Sequence, residues 1–444
     1  MNSWLDEHPE IKNVRCGVAD LNGQARGKRL PASAARKLGS EGTRLPISLL
    51  SLDIWGEDIE NSPLVFESGD PDGILKPTER GYVPMPWLSV PSALMPQWMF
   101  NEDGTPYAGD PRHALANVVA MFKKHGLTPV VATEMEFYLI DDSGKEIQQP
   151  KSPRSGKRRP GAEILSLRAL DAFDLFFNEL YDACEAMDIP ADAAISEAGL
   201  GQFEINLNHV DDALKAADDA WLFKMLVRGL ARKYGMAASF MAKPYSDYAG
   251  NGMHTHFSLL DEHGNNAFAN GTFEGSPLLA NAIAGCLNGI QELALIFAPH
   301  GNSYDRLVPD SHAPTGVCWG YENRTASVRV PGGSLAARRI EHRVAGGDVN
   351  PYLFIAATLG SALIGIEDAL TPPAPIKGNA YAQDMPQIPA TWKEAIDTFE
   401  KSPFAARIFS KQLIENFVLT KRQEAHYFEE LSDEERIELY LDTV

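Results

Sequence analysis

Apolar and polar residues alternate in several short runs of this chain, and alternation of period two predicts strands with one face on a core. In "ATEMEFYLI" (132–140), Met135, Phe137 and Leu139 point one way and Glu134 and Glu136 the other. In "GQFEINLN" (201–208), Phe203, Ile205 and Leu207 oppose Gln202, Glu204, Asn206 and Asn208. "GMHTHFSLL" (252–260) sets His254, His256 and Ser258 against Met253, Thr255, Phe257 and Leu259. "ARRIEHRV" (337–344) alternates Arg339, Glu341 and Arg343 with Ile340, His342 and Val344, and "SVRVP" adds Arg329. Elsewhere the period lengthens. Asp110 as N-cap, Pro111 in the first turn, Leu115, Val118, Val119 and Phe122 on one face and Gly126 as stop predict a helix. Helical patterns resume at 166–187 and 211–234, and the final third, from Pro351, is mainly helical. "YLFIAATLGSALIGI" (352–366) is too short to span a bilayer and reads as a buried core helix.

The first hundred residues predict a small β-rich module. Asn22-Gly23 between strand-like runs in "VRCGVADLNGQARGKRL" signals a hairpin, and the Pro-rich "GYVPMPWLSVPSALMP" reads as an extended connection. Residues 141–162, basic and rich in Pro, Gly and Ser, read as a mobile surface insertion rather than a phosphate site. The length, 444 residues, allows two or three domains. A net charge of −20 argues against nucleic acid as a partner and suits cationic ligands. Cys16, Cys184, Cys286 and Cys318 form no CxxC pair, so neither a disulfide framework nor a zinc site is expected. That spacing suits a reducing compartment, and "MNSWLDEHPE" lacks the basic and apolar regions of a signal peptide; the expectation is a cytoplasmic protein without a membrane segment.

A single strand with a polar outer face is an ordinary surface. Four or five in one domain predict the wall of a polar cleft. Two carboxylates as close as Glu134 and Glu136 repel by about 2–3 kcal/mol, which a fold tolerates when something positive lies between them. Glutamates and histidines without thiolates suit Mg²⁺ or Mn²⁺, and arginines suit phosphate, whose oxygens match the guanidinium fork. Neither GxxxxGK[ST] nor GxGxxG occurs. The residues alone therefore imply a metal-dependent, phosphate-handling enzyme.

At these same residues the sequence resembles the glutamine synthetase family over nearly its whole length. The segments that carry the resemblance are "ATEMEFYL", "SEAGLGQFEINL", "FMAKPYSDYAGNGMHTHFSL", "NSYDRLVP", "WGYENRTASVRVP" and "RRIEHRVAGGDVNPYL". Within that family, "DLNGQARGKRLP", "QFEINLNHVDDAL" and "EHRVAGGDVNPYL" look most like the branch that ligates glutamate to putrescine or another polyamine. The resemblance implies an α+β fold. A β-grasp domain (1–105) would precede a catalytic domain (106–444) whose antiparallel sheet forms a funnel-shaped active site. It implies ATP and two or more Mg²⁺ or Mn²⁺ ions, with L-glutamate and a small amine as substrates. It also implies a homo-oligomer, a dodecamer of two stacked hexameric rings whose active sites are shared between subunits.

Residue by residue, Glu136, Glu197 and Glu204 match the ligands of one metal, and Glu134, His254 and Glu341 those of the second. His256, Ser258, Arg324, Arg329 and Arg339 match positions that hold the nucleotide phosphates, Arg324 also stabilising the transition state. Gly250, Arg306 and Arg343 match glutamate-binding positions. Asp53, in the acidic run with Glu57, Asp58 and Glu60, is expected at the amine site of an adjacent subunit, with a turn-capping role as the alternative. Three departures stand out. The family's asparagine for the glutamate α-carboxylate falls on Ala249. The tyrosine loop used for adenylylation has no counterpart. The glutamate of the loop that closes over the site is His312, which offers no fixed negative charge for an ammonium ion, acting as a base or lining the entrance. Alternatives to polyamine ligation are a monoamine such as methylamine or ethanolamine, ammonia itself, or a non-catalytic ring-forming sensor.

Overall fold

A computed structural model of the chain describes residues 2–38, 42–144, 147–159 and 161–444. Strands β1 (Asn13–Ala19), β2 (Ala25–Pro31), β3 (Thr43–Pro46), β4 (Asp72–Pro77), β5 (Val83–Pro84) and β6 (Ser92–Phe100) form an N-terminal sheet. Its order is β2-β1-β6-β4-β3, with β5 also paired to β6. The expected hairpin forms: β1 and β2 run antiparallel around a turn at 20–24, where Asp20 accepts the N–H groups of Asn22 and Gln24 at 2.9 and 2.8 Å.

The Pro-rich stretch is more than a connection. Its end opens β6, the central strand, whose residues 92–96 lie parallel to β1 and 97–100 antiparallel to β4. Pro96 sits where the partner changes, a place in a central strand where a missing N–H interrupts little of either ladder.

The second sheet contains β7 (Thr128–Ile140), β8 (Ala191–Ser196), β9 (Gln202–Val210), β10 (Ala237–Ser239), β11 (Met253–Leu260), β12 (Trp319–Tyr321), β13 (Val328–Val330) and β14 (Ile340–His342). The order is β12-β13-β14-β11-β7-β9-β8, with β10 paired to β7. All pairs are antiparallel except β12–β13, so the expected antiparallel sheet has one parallel edge. The apolar face packs into the main core with helices that include Pro111–Lys124, Ala213–Lys233, Pro277–Glu292 and Pro351–Glu367. The last is buried from Pro351 to Gly365, as its composition predicts. It approaches Pro277–Glu292 so closely that a Cβ on Gly285 would stand 2.1 Å from Ser361 O, and one on Gly365 2.1 Å from Asn281 O. Asp110 caps its helix as expected, accepting from the N–H groups of Arg112 and His113.

The described part of 141–162 is tied down rather than loose. Arg158 pairs with Asp141, Arg159 with Glu163, and buried Ser152 donates to Ala172 O, while Lys151, Arg154 and Lys157 are exposed as expected. The N-terminal sheet is tied to the helix Lys411–Glu430 by a buried pair: Lys421 Nζ donates to Glu424 Oε2 at 2.8 Å. Glu424 Oε1 accepts the Asn22 amide and the Ile54 N–H, each at 2.8 Å, so each carboxylate oxygen is used. Among the described residues no helix is long and apolar enough to cross a membrane.

Candidate active site

Register brings the acidic strands together. Across β11 and β7, His254 faces Glu134; across β7 and β9, Glu136 faces Glu204; across β11 and β14, His256 faces Glu341, which in turn faces Arg329 on β13. Because side chains alternate, all of these project from the face opposite the core. Glu134 is the hub. Its Oε2 lies 3.2 Å from His254 Nδ1 and its Oε1 2.9 Å from His256 Nε2. Arg339 Nε donates to His256 Nδ1 at 3.3 Å, which leaves the ring proton on Nε2 for Glu134.

The electrostatics divide the acids in two. Burial works to raise the Glu134 carboxyl, but hydrogen bonds with His254 and His256 outweigh it and hold the group well below the usual range. Glu341 is 1% exposed. Burial raises it too, and Arg343 leads the effects that outweigh burial, bringing it down to about 2. Arg329 Nη1 donates to its Oε2 at 2.7 Å and Arg343 to its Oε1. On the other side, burial and the negative charges of Glu134, Glu136 and Glu197 push Glu204 up to about 9. Burial and Glu136 push Glu197 up to about 7. Acids crowded until two resist ionising are acids arranged for a multivalent cation.

The donor set fits such a cation. Ligand atoms of Glu134, Glu204 and His254 lie within 4.8 Å of one another, as do those of Glu134, His256 and Glu341. Carboxylates with one or two imidazoles and no sulfur suit Mg²⁺ or Mn²⁺. Glu136 adjoins this set, with its Oε2 accepting the Gly252 N–H at 2.6 Å. Glu197 reaches it through the field it shares with Glu136 and Glu134, with Arg324 acting against that repulsion.

The remaining expected residues take different places. Arg306 is buried, and its Nη1 donates to Val344 O at 2.8 Å. A Cβ at Gly250 would meet Arg306 Cγ at 2.8 Å and Ala242 O at 2.4 Å, so only glycine fits there. Beside it, Ala249 is held by its carbonyl, which accepts from Tyr138 Oη at 2.6 Å. Ser258 lies on β11 two residues beyond His256. Arg324 is exposed between β12 and β13. His312 is exposed on the loop after Arg306, in a left-handed conformation with φ of 64°.

Asp53 is not brought to this cluster within the chain. It is buried, its Oδ1 accepts the N–H groups of Trp55 (3.0 Å) and Glu57 (2.9 Å), and its Oδ2 accepts from Gln423 (2.9 Å), which is the geometry of a turn cap. Its neighbours Glu57, Asp58 and Glu60 line a cavity of about 690 Å³ with Trp55, Tyr427 and Glu430. Sequence reading gave no role to Gln202 or Asn251. Gln202 Nε2 donates to Gly250 O (3.0 Å) and Asn251 Oδ1 (3.1 Å), while its Oε1 accepts the Gly199 N–H. Side-chain amides that span loops distant in sequence leave no periodic signal.

Fold, acidic face and flanking arginines together define a carbon–nitrogen ligase of the glutamine synthetase type, and residues 108–440 match the glutamine synthetase catalytic domain. The chain belongs to that family. It is 36% identical to gamma-glutamylputrescine synthetase PuuA of Escherichia coli, covering 99% of this chain and 93% of that protein. It is 32% identical to a glutamate–isopropylamine ligase of a Pseudomonas species (100% and 98% covered) and 32% identical to the glutamine synthetase of Pyrococcus abyssi (93% and 90%). Among solved structures, ligand-free GmaS superposes with a TM-score of 0.85 at 27% identity, covering 98% of each chain. The chain is thus an ATP-dependent ligase that joins glutamate to an amine.

Proposed function

We propose that the amine is putrescine or another polyamine, and that the product is its γ-glutamyl amide. The observation that carries this reading is the loop after Arg306. There an exposed imidazole, His312, falls by the family resemblance where a carboxylate would hold and deprotonate ammonium. Without that charge a small ammonium ion is held poorly, and a larger amine that brings its own binding energy gains the advantage. The cavity beside Glu57, Asp58 and Glu60 supports the same reading, because carboxylates with aromatic faces suit an alkylammonium group.

The chemistry needs two steps. Glutamate's γ-carboxylate oxygen attacks the γ-phosphorus of ATP, ADP leaves, and an acyl phosphate forms. The amine nitrogen then attacks the acyl carbon, phosphate leaves with the C–O bond pair, and the nitrogen gives up a proton. In this reading Glu136, Glu197 and Glu204, and Glu134, His254 and Glu341, would hold divalent cations, which supply charge neutralisation at the phosphates when bound. His256, Ser258, Arg324, Arg329 and Arg339 orient and neutralise the phosphoryl group, and Arg306, Arg343 and Gly250 fix glutamate. His312 accepts the proton or screens the acyl phosphate from water. The domains are a β-grasp unit (1–105) and a catalytic unit (106–444), assembled as stacked hexameric rings in which the loop capped by Asp53 turns its acidic neighbours towards the next subunit's site. Mass analysis of products from ATP, Mg²⁺, glutamate and an equimolar mixture of ammonia, ethanolamine and putrescine tests this. γ-Glutamylputrescine should dominate, and predominance of glutamine would overturn it.

A further inference from the structure

The Asn302 side chain, 6% exposed, is bonded at both ends to a single distant residue. Its Oδ1 accepts the Lys243 N–H at 2.8 Å, and its Nδ2 donates to the Lys243 carbonyl at 3.0 Å and to Asp305 Oδ2 at 3.1 Å. An amide that meets both the N–H and the C=O of one residue pairs with it as a neighbouring strand would, so it fixes direction as well as distance. Asn302 opens the short helix Ser303–Arg306, while Lys243 begins the segment that leads through Gly250 to Gly252. The two elements meet again at the far end, where Gly250 leaves room only for the Arg306 stem.

We infer that Asn302 is a positioning residue for glutamate: it locks the helix bearing Arg306 to the loop bearing Gly250, and so sets the width of the glutamate cleft. This inference rests on the reading that Arg306 and Gly250 hold glutamate. No metal-facing carboxylate and no nucleotide-facing arginine bonds to the Asn302 side chain, so its loss acts on one substrate. Asn302→Ala removes all three bonds. Asn302→Asp keeps the acceptor for the Lys243 N–H and loses both donors, and so tests the clamp in a side chain of nearly the same shape.

The experiment is steady-state kinetics with glutamate, ATP and amine varied in turn, plus thermal melts, for the two variants and Arg306→Lys. Both Asn302 variants should raise the glutamate KM by about tenfold, with two bonds lost in Asn302→Asp and three in Asn302→Ala, and leave the ATP KM within about twofold. Equal rises in every KM with a lowered Tm, or no change in the glutamate KM, would overturn the inference. Arg306→Lys separates the two failures. If it raises the glutamate KM and the Asn302 variants do not, only the inference falls. If it leaves the glutamate KM unaltered, the glutamate reading falls and takes the inference with it.

Discussion

At the scale of single residues, the six side chains expected to hold metal differ in what else they hold up. Glu136 accepts one backbone N–H, from Gly252, and a glutamine oxygen can do the same. Glu136→Gln should therefore melt as the parent does and lose about a hundredfold or more in kcat, because one unit of charge is gone from a cation site. Glu341 is buried against both Arg329 and Arg343. Glu341→Gln should lose activity and about 1–3 kcal/mol of stability as well, since two guanidinium groups are left against a neutral amide. Thermal melts beside phosphate release separate the two, and full activity in both variants contradicts the two-metal assignment. Residue types on the polar faces were legible because each acid alternates with a core residue. That Glu134 serves both imidazoles was not, since the register of β11 on β7 is set by partners 120 residues apart.

At the scale of elements, strands β7, β9 and β11 were readable because one face of each meets the core and the other the cleft. The short β14 was readable from Arg339 to Arg343, although only Ile340–His342 pairs as strand. β6 was not, because Pro96 reads as a break and only the exchange of partners there explains how it is accommodated. The acidic segment at 53–60 is a further case, for nothing local shows that Gln423 clamps it. Gln423 donates to Asp53 Oδ2 (2.9 Å) and Asp58 O (3.1 Å) and accepts from the Glu60 N–H (2.9 Å). Asp53→Asn cannot keep all of these bonds. It should cost about 1 kcal/mol in a denaturant melt and raise the amine KM several-fold, through the shape of the loop. An unchanged amine KM removes Asp53 and its loop from the amine site.

For the whole molecule, the crowded acids couple folding to pH and to metal. Glu197 and Glu204 are raised to about 7 and about 9, above the 4.5 of an ordinary glutamate. The folded state therefore holds protons that the unfolded chain releases, and stability falls as pH rises from about 4.5 towards 9. A divalent cation displaces those protons, so its binding strengthens with pH. Mg²⁺ or Mn²⁺ should therefore raise Tm more at about pH 9 than at about pH 6. A metal increment independent of pH contradicts the clustering of these carboxylates around a cation.

Under the proposed function, the choice of amine turns on a contest between charge and contact at His312. The direct measurement is the ratio of kcat/KM for putrescine and for ammonia under saturating ATP, Mg²⁺ and glutamate, in the parent and in His312→Glu. The parent should favour putrescine by at least about 100-fold, roughly 2.7 kcal/mol of transition-state preference, and His312→Glu should move the ratio towards ammonia. A parent enzyme that turns over ammonia as well as or better than putrescine would contradict the polyamine assignment.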